Sequence, residues 1–516
     1  MYDPAQPAYL RMNVADGAVD MWWPGSGAVP AAERRSFASW RGAAGDAAAY
    51  SPRGQVGRYL TDGLARILRH APPGVRVTPH RAHVNDVAPA GTRWRIAADG
   101  AGGLYDEVLL AVGHEPAAPG GLASTWSHHA TLVPAVFPVA QWLGADRVPP
   151  GSAVAVRGFA LTFIDAALAL TEGRGGSFEA LDHPYRLRYV PGREDVGVIV
   201  PYSRSGRAML AKPHPLVAAR TPALGGIGER GRARVLDLPD GFDVQHDLLA
   251  ILAAAATGAL LAVGGRVPGE PATIEAWLAA AAAGAPGPAE PEPAHDLERS
   301  LAIGAGLRAP DAGWALGHTW RALYPAIVAR LGGEGLAAPH WPEFLRLAAQ
   351  MERVAFGPAP VNVAKLLALV AAGRLDLRHV GGGGLYGRSR RTLLRSQRGE
   401  TAVDVVVDAV LPGPGAIDVR SEPLCGLLER GLLRVMPGRR GLDVDAAGGC
   451  RGRDGSPTRG LSAIGRATED VVIGNDTMNR SLHPLADRWA RELTRRADAD
   501  ADADAAERCA PHAEVA

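Results

Sequence analysis

Lysine, cysteine and net charge are all scarce in this chain of 516 residues, and the low net charge and the few cysteines each argue against particular classes of protein. The 55 basic residues are almost all arginine, a bias that we attribute to a GC-rich genome rather than to function. The formal net charge is only +1, so no overall field draws the protein to nucleic acid or to acidic lipid. We therefore expect a small-molecule substrate and neither a nucleic-acid nor a membrane partner, with the oligomeric state left open.

Only three cysteines occur, at positions 425, 450 and 509, and their spacing matches neither a metal site nor a disulfide framework. Reduced thiols are typical of the cytoplasm, and no charged stretch followed by an apolar one marks a secretory signal. The longest apolar run, 248–264, is shorter than the ~20 residues that span a bilayer. The sequence thus predicts a cytoplasmic protein without a metal, in which this run forms a buried helix.

Several catalytic motifs are also absent. The sequence contains no G-x-S-x-G, no H-E-x-x-H and no G-x-x-x-x-G-K-[ST], so the signatures of several other enzyme classes are missing. Hydrophobic residues make up 47% of the chain, which is ordinary for a globular protein. No side chain identifies itself as a catalytic acid or base, and the catalytic residues stay unassigned.

The most informative stretch that is present covers residues 153–167. An apolar strand runs directly into Gly158, Ala160 takes the place of a second glycine, and Thr162 opens a helix. A nucleotide loop needs a tight turn and a close backbone approach to phosphate, followed by a helix whose free N–H groups face the anion. We assign Gly158, Ala160 and Thr162 to a nucleotide site, although an ordinary βα turn has the same pattern.

Two further strand ends carry candidate ligand residues. Ser203 and Arg204 follow the apolar strand 196–200, where a dinucleotide site reads the ribose 2′ group, and no acid occurs between that strand and Lys212. Arginine suits the 2′-phosphate of NADPH, although a single arginine is more often a solvated loop residue. Gly113 and His114 end the apolar run 107–112, which predicts a central parallel strand. A lone histidine there is more often structural than catalytic.

A segment near the end of the sequence also places candidate ligand residues directly after an apolar run. The apolar run 471–473, which predicts a strand, leads into Gly474, Asn475 and Asp476, and a helix is predicted over 482–494. Such a turn offers backbone N–H groups and an acceptor for ribityl hydroxyls, which predicts that it closes a flavin site. A helix cap without a ligand explains the turn equally well.

Taken together, these segments resemble the FAD/NAD(P)-binding family of actinobacterial flavoproteins, which are distantly similar to N-hydroxylating and flavin-containing monooxygenases. The segments that carry the resemblance lie in the same order as in the family and span almost the whole chain. They are residues 2–13, 50–60, 109–116, 154–176, 200–207, 356–373 and 461–489.

The resemblance implies an α/β protein with two interleaved Rossmann-like dinucleotide-binding domains and a largely helical insertion. The implied order is an FAD domain at 1–145, the first part of an NAD(P) domain at 146–230, a helical region at 231–380 and returning strands that close the FAD domain at 381–496. The Ala-Asp repeats of 497–516 predict a disordered acidic tail. On the resemblance we also assign Arg11 and Asn13 to the cofactor site.

The function implied is that of an FAD- and NADPH-dependent oxidoreductase, which transfers hydride from NADPH to the flavin and either oxygenates a small molecule or acts as a simple reductase. Members of the family begin with a strand, a G-x-G-x-x-G loop and a helix, and no such unit precedes Tyr2. Two explanations for the missing unit stay open: the start site has been placed too late, or the protein has lost its FAD anchor. In the second case the protein is a non-catalytic nucleotide-binding protein.

Overall fold

The computed structural model shows a mixed α/β protein in which the chain divides into two compact units. It describes residues 2–23, 27–42, 46–113, 122–213, 221–269, 273–285, 292–332, 335–417, 419–474, 482 and 484–509. The first unit comprises Met1–Val77, Pro119–Arg330 and Gly335–Pro412. The second unit comprises Thr78–Ala118, Leu331–Glu334 and Gly413–Ala516. Residues 1–77 therefore belong to the same unit as the middle of the chain.

The strands are short. They are Val84–Ala90 (β1), Arg93–Ala98 (β2), Ala101–Tyr105 (β3), Val108–Leu110 (β4), Thr131–Val133 (β5), Ala153–Arg157 (β6), Ser177–Ala180 (β7), Leu187–Val190 (β8), Val198–Tyr202 (β9), Gly384–Arg388 (β10), Arg391–Ser396 (β11), Gly399–Val403 (β12), Val405–Asp408 (β13), Gly449–Arg451 (β14) and Pro457–Ala463 (β15).

The helices lie mostly between residues 223 and 371. They are Phe37–Trp40 (α1), Arg53–Arg69 (α2), Val139–Trp142 (α3), Leu161–Ala169 (α4), Ala223–Leu236 (α5), Leu249–Ala262 (α6), Ile274–Ala282 (α7), Pro293–Gly304 (α8), Ala312–Leu331 (α9), Trp341–Ala355 (α10), Pro360–Ala371 (α11), Glu422–Glu429 (α12) and Leu485–Cys509 (α13). One π-helical turn, Val244–Leu248, precedes α6.

The centre of the first unit is a parallel sheet in the order β5-β13-β6-β9. Its two middle strands read Val-Val-Val and Ala-Val-Ala-Val, and β-branched residues suit a strand that is buried on both faces. One face packs against α4 and α11, and the other packs against the antiparallel sheet β10-β11-β12. The parallel sheet confirms the predicted α/β class.

The second unit contains two three-stranded sheets. One is the antiparallel meander β1-β2-β3, and the other has the order β14-β15-β4 with β15 parallel to β4. Their core includes Trp94, Leu424 and Leu461. The predicted strand 107–112 is thus present as β4 and is parallel to β15, but it is shorter than its apolar run and lies at the end of the described sheet rather than at its centre.

Two predictions for the end of the chain are wrong. The run 471–473 is not a strand. It forms a turn after β15, and Val471 and Ile473 are buried in that turn. The last helix begins at Leu485 and continues to Cys509, which includes residues 497–509 that the sequence assigned to a disordered tail. Alanine has the highest helix propensity of any residue, and it alternates with aspartate through this stretch.

One helical stretch of the described chain, Val244–Ala262, has the length and hydropathy that a membrane span requires. A share of 56% of its most apolar window is buried inside the protein, as in a core helix. This stretch covers most of the apolar run that the sequence predicts as a buried helix.

Candidate functional site

The turn between β6 and α4 lies at the carboxyl edge of the parallel sheet. Gly158 has a φ of +106°, a region that side chains disfavour, and its N–H donates to the Tyr202 carbonyl at 2.9 Å. A Cβ at this position would stand 3.4 Å from Val410 Cγ2 and 3.5 Å from the Ala409 backbone. Space alone would admit a methyl group, so the backbone angle is what requires glycine here.

The helix that follows has a bare amino end. Ala160 is its N-cap residue, with extended backbone and no side-chain cap. The first N–H groups of a helix have no partner within the helix, so this end can accept an anion. Thr162 is buried in the first turn, and Phe159 packs on Phe163 with 5.1 Å between ring centres. The start of the helix is therefore held rigidly.

Ser203 lies beside this turn. In the register of β6 with β9, Arg157 pairs with Tyr202, which puts Gly158 and Ser203 next to each other beyond the strand ends. Ser203 Oγ and the Tyr202 hydroxyl are buried and have no hydrogen-bond partner among the described residues. Arg204 is exposed at the same edge. The structure thus brings Gly158, Ser203 and Arg204 to one edge and leaves two hydroxyl groups there for a ligand.

A charged pair borders the same edge. Arg157 Nη1 lies 3.0 Å from Asp408 Oδ2, and the exposed fraction of the Asp408 side chain is only 4%. Asp408 Oδ1 also accepts from the Val410 N–H at 3.1 Å. Both oxygens of the Asp408 carboxylate therefore already accept hydrogen bonds within the protein.

Arg11 and Asn13 lie elsewhere in the first unit. Arg11 Nη1 donates to the Tyr50 carbonyl at 2.8 Å, and its buried Nε has no partner among the described residues. The Asn13 carbonyl accepts a hydrogen bond from Lys212 Nζ. Both residues therefore belong to the surroundings of Tyr50 and Lys212.

A buried ion pair ties the amino-terminal part of this unit to α4. Arg53, the first residue of α2, lies 2.7 Å from Asp165 of α4, with side-chain exposures of 14% and 4%. Burial raises the pKa of Asp165 to about 6, and the Arg53 guanidinium opposes that shift. Arg53 also lies over the Phe137 ring, 5.8 Å from its centre. The sequence pattern offered no sign of this pairing.

The remaining predicted residues divide between the second unit and the part of the chain outside the described residues. Gly113 has a φ of +68°, follows β4 closely, and has no described atom within 4 Å of its Cβ position. The Gly474 N–H donates to Glu469 Oε1 at 3.2 Å. His114, Asn475 and Asp476 lie outside the described residues. The prediction that the 474–476 turn closes a flavin site stays a prediction.

Sequence reasoning missed two cationic side chains in the first unit. These are Lys212 and Arg321. Burial, with the Arg321 charge as the second cause, lowers the pKa of Lys212 to about 7. Burial also lowers the pKa of Arg321 to about 10. A signal was available, because Lys212 and Lys365 are the only lysines among the 55 basic residues.

Comparison with known proteins agrees with the resemblance seen in the sequence. Residues 1–115 match the FAD-NAD(P)-binding family. An L-aspartate N-monooxygenase (nitrosuccinate-forming) from Streptomyces cremeus is 36% identical over 155 residues, 28% of this chain and 22% of that protein. Its namesake from Streptomyces davaonensis is 32% identical over 225 residues, 40% of this chain and 33% of that protein. The matched parts thus span only about a fifth to a third of these relatives.

Solved structures that match include a flavin-containing monooxygenase from Stenotrophomonas maltophilia, at 14% identity and a TM-score of 0.31, covering 95% of this chain and 85% of that one. An L-lysine 6-monooxygenase from Pseudomonas syringae matches at 12% identity and a TM-score of 0.34, covering 86% of this chain and 76% of that one. The predicted kinship to an FAD/NAD(P)-binding family is confirmed by the match over 1–115.

Proposed function

We propose that this protein is an FAD- and NADPH-dependent oxidoreductase of the monooxygenase type, acting on a small molecule in the cytoplasm. The observation that carries the proposal is the turn at Gly158, with its positive φ and its uncapped helix at the carboxyl edge of a parallel sheet. Ligands of open α/β sheets bind at that edge. The match of residues 1–115 to the FAD-NAD(P)-binding family supports a flavin as the second cofactor.

The residues at the edge fit a nicotinamide dinucleotide. The backbone at Gly158 and Ala160 would hold its pyrophosphate, because glycine allows a close approach and the bare helix end supplies N–H donors. The orphaned hydroxyl of Ser203 has no other described partner, and Arg204 is exposed at the place where a ribose 2′-phosphate is read. A guanidinium pairs with phosphate in two parallel hydrogen bonds, which favours NADPH over NADH.

For the flavin, Gly113 just beyond β4 has a positive φ, which would allow a close backbone approach to the cofactor. When bound, the flavin accepts hydride from the nicotinamide and supplies the reactivity toward oxygen. The chain's own contribution is to bind both cofactors, orient them and keep water away from them. The names of the two Streptomyces relatives support oxygenation of a small molecule as the outcome.

A titration tests the first half of the proposal. We expect NADPH to bind the wild-type protein and Gly158→Val to abolish that binding, because the valine side chain would occupy the phosphate position and strain the backbone. The melting temperature of the variant shows whether the fold survives. NADPH binding that is equal in both proteins, with equal melts, would contradict the proposed site.

Anaerobic reduction tests the second half. The protein is loaded with FAD, NADPH is added without oxygen, and the flavin absorbance is followed. Bleaching of the flavin is the expected result. Binding of NADPH without bleaching would instead favour a nucleotide-binding protein that has no redox activity.

A further inference from the structure

Three polar residues form a row across the carboxyl ends of the parallel strands. Asp408 is the last residue of β13, Arg157 is the last of β6, and Tyr202 is the last of β9. The strand register pairs Asp408 with Arg157 and Arg157 with Tyr202, so the three residues are neighbours on adjacent strands. They end a face of the sheet whose other members, such as Ala155 and Val406, are apolar. Polar side chains are therefore confined to the edge at which ligands of such sheets bind.

Arg157 has hydrogen-bond donors that the described chain leaves unused. Its Nη1 donates to Asp408 Oδ2 at 3.0 Å, and this is the only side-chain hydrogen bond or ion pair that Arg157 forms with a described residue. A guanidinium carries several further N–H groups in a planar fork. The side chain is 33% exposed, and none of its nitrogen atoms is among the buried atoms without a partner. Its remaining N–H groups therefore reach solvent at the edge of the sheet.

The neighbours of Arg157 fix the guanidinium without using up its donors. Asp408 has a side-chain exposure of only 4%, and its Oδ1 accepts from the Val410 N–H at 3.1 Å, so the carboxylate is held while its other oxygen orients Arg157. Tyr202 is 7% exposed, and its hydroxyl has no partner among the described residues. The row thus contains an ordered cation beside an unused phenol donor. Order before binding lowers the entropy that a ligand must overcome.

Arg157 directly precedes the turn of the candidate nucleotide site. The next residue, Gly158, has a φ of +106°, and the uncapped amino end of α4 follows at Ala160. A strand, a glycine turn and a helix amino end together bind a pyrophosphate in dinucleotide-binding folds. Arg204 instead follows the neighbouring strand β9, where the ribose 2′ group is read. Of the phosphates in NADPH, the pyrophosphate is therefore the one that Arg157 is placed to meet.

We propose that Arg157, held in place by Asp408, binds the pyrophosphate of the nicotinamide dinucleotide. The proposal rests on the oxidoreductase function proposed above, because that function supplies the ligand. The free N–H groups at a helix end carry only partial positive charge, whereas a pyrophosphate is fully anionic. A guanidinium adds a full charge and matches phosphate oxygens with two parallel N–H groups. Arg157 thus supplies charge that the glycine turn lacks.

A purely structural role, in which Arg157 only neutralises the buried Asp408, can be separated by two variants. Asp408→Asn removes the negative charge, keeps an oxygen acceptor for the Val410 N–H and leaves Arg157 in place. The double variant Arg157→Met/Asp408→Asn also removes the guanidinium, and it leaves no buried charge without a partner. The difference between these two proteins isolates the guanidinium, and their melting temperatures check that both fold.

Calorimetry on the full chain, with NADPH and with NADH, tests the proposal. The double variant should bind both nucleotides roughly tenfold to hundredfold more weakly than Asp408→Asn does, the value of a charge-assisted hydrogen bond. The loss should be the same for NADPH and NADH, because both contain the pyrophosphate. The preference for NADPH over NADH should therefore stay unchanged, which distinguishes Arg157 from Arg204.

A matched control removes a guanidinium at the opposite edge of the sheet. Arg391 is exposed and forms no ion pair with a described residue. It begins β11, and the hydroxyl of the next residue, Thr392, accepts from the Ala130 N–H immediately ahead of β5. Arg391 thus lies at the amino ends of the parallel strands, and Arg391→Met should leave both affinities unchanged.

The possible failures can be told apart. If the double variant binds both nucleotides as tightly as Asp408→Asn, Arg157 is not a ligand residue, while binding of NADPH to the wild type leaves the proposed function in place. If only NADPH binds more weakly, Arg157 contacts the ribose 2′-phosphate and its assignment to the pyrophosphate is wrong. If the wild type binds neither nucleotide, the proposed function itself fails, and the pyrophosphate site fails with it.

Discussion

Loss of the Arg53 charge should destabilise the protein strongly, because Arg53 is the partner of a carboxylate that is almost completely buried. Asp165 has an exposed side-chain fraction of 4%, and its contact with Arg53 is 2.7 Å. Removing one partner of a buried ion pair leaves an uncompensated charge and typically costs ~3–5 kcal/mol. We therefore expect Arg53→Met to lower the free energy of unfolding by about that amount at pH 7.5.

The pH dependence follows from the pKa of Asp165, which burial raises from 3.8 to about 6. Between these values the folded state binds more protons than the unfolded state, so stability decreases as the pH rises through this window. The shift corresponds to roughly 3 kcal/mol at 1.36 kcal/mol per pH unit. Without Arg53 the pKa rises further, so at pH 5 the carboxyl is protonated and the cost of Arg53→Met should be much smaller than at pH 7.5.

Urea denaturation followed by tryptophan fluorescence at the two pH values is the assay. Arg58→Met is the matched control, since Arg58 is exposed on the same helix and forms no ion pair with a described residue; its Nη1 donates to the Pro4 carbonyl at 3.2 Å. Asp165→Asn and the double variant complete a cycle, and the double variant should be less destabilised than the sum of the two single variants. The reasoning is refuted if Arg53→Met costs no more than Arg58→Met, or costs the same at both pH values.

Three further predictions concern single residues. Gly158→Ala, with φ at +106°, should cost ~1–3 kcal/mol in urea denaturation and weaken NADPH binding; an unchanged denaturation midpoint would show that the turn tolerates a side chain. Arg204→Ala should reduce the preference for NADPH over NADH roughly tenfold to hundredfold in paired titrations, and an unchanged ratio would remove Arg204 from the site. Trp320→Ala, at a fully buried ring that stacks on Phe344, should cost ~3–5 kcal/mol, and a loss below ~1 kcal/mol would mean that the helical core refills the cavity.

Individual strands and turns were predictable from the sequence where a single residue pattern marks them. Apolar β-branched runs became β6, β9 and β13, since such residues suit a strand that is buried on both faces. Gly158 was predictable as a turn because only glycine adopts its backbone angle without strain. The prediction of a strand at 471–473 was wrong, because an apolar run by itself does not distinguish a strand from a buried turn.

The sequence by itself determined the α/β class, the turn at Gly158 and the kinship of residues 1–115, because each of these depends on patterns within a few residues or on similarity to a family. Only the tertiary structure decided that β13 lies between β5 and β6 and that Arg53 meets Asp165. Arg53 and Asp165 are 112 residues apart in the chain. Periodicity along the chain records which side of an element is buried, but it does not record which distant segment covers that side. Charges paired across such distances are therefore set by the packing of the whole unit.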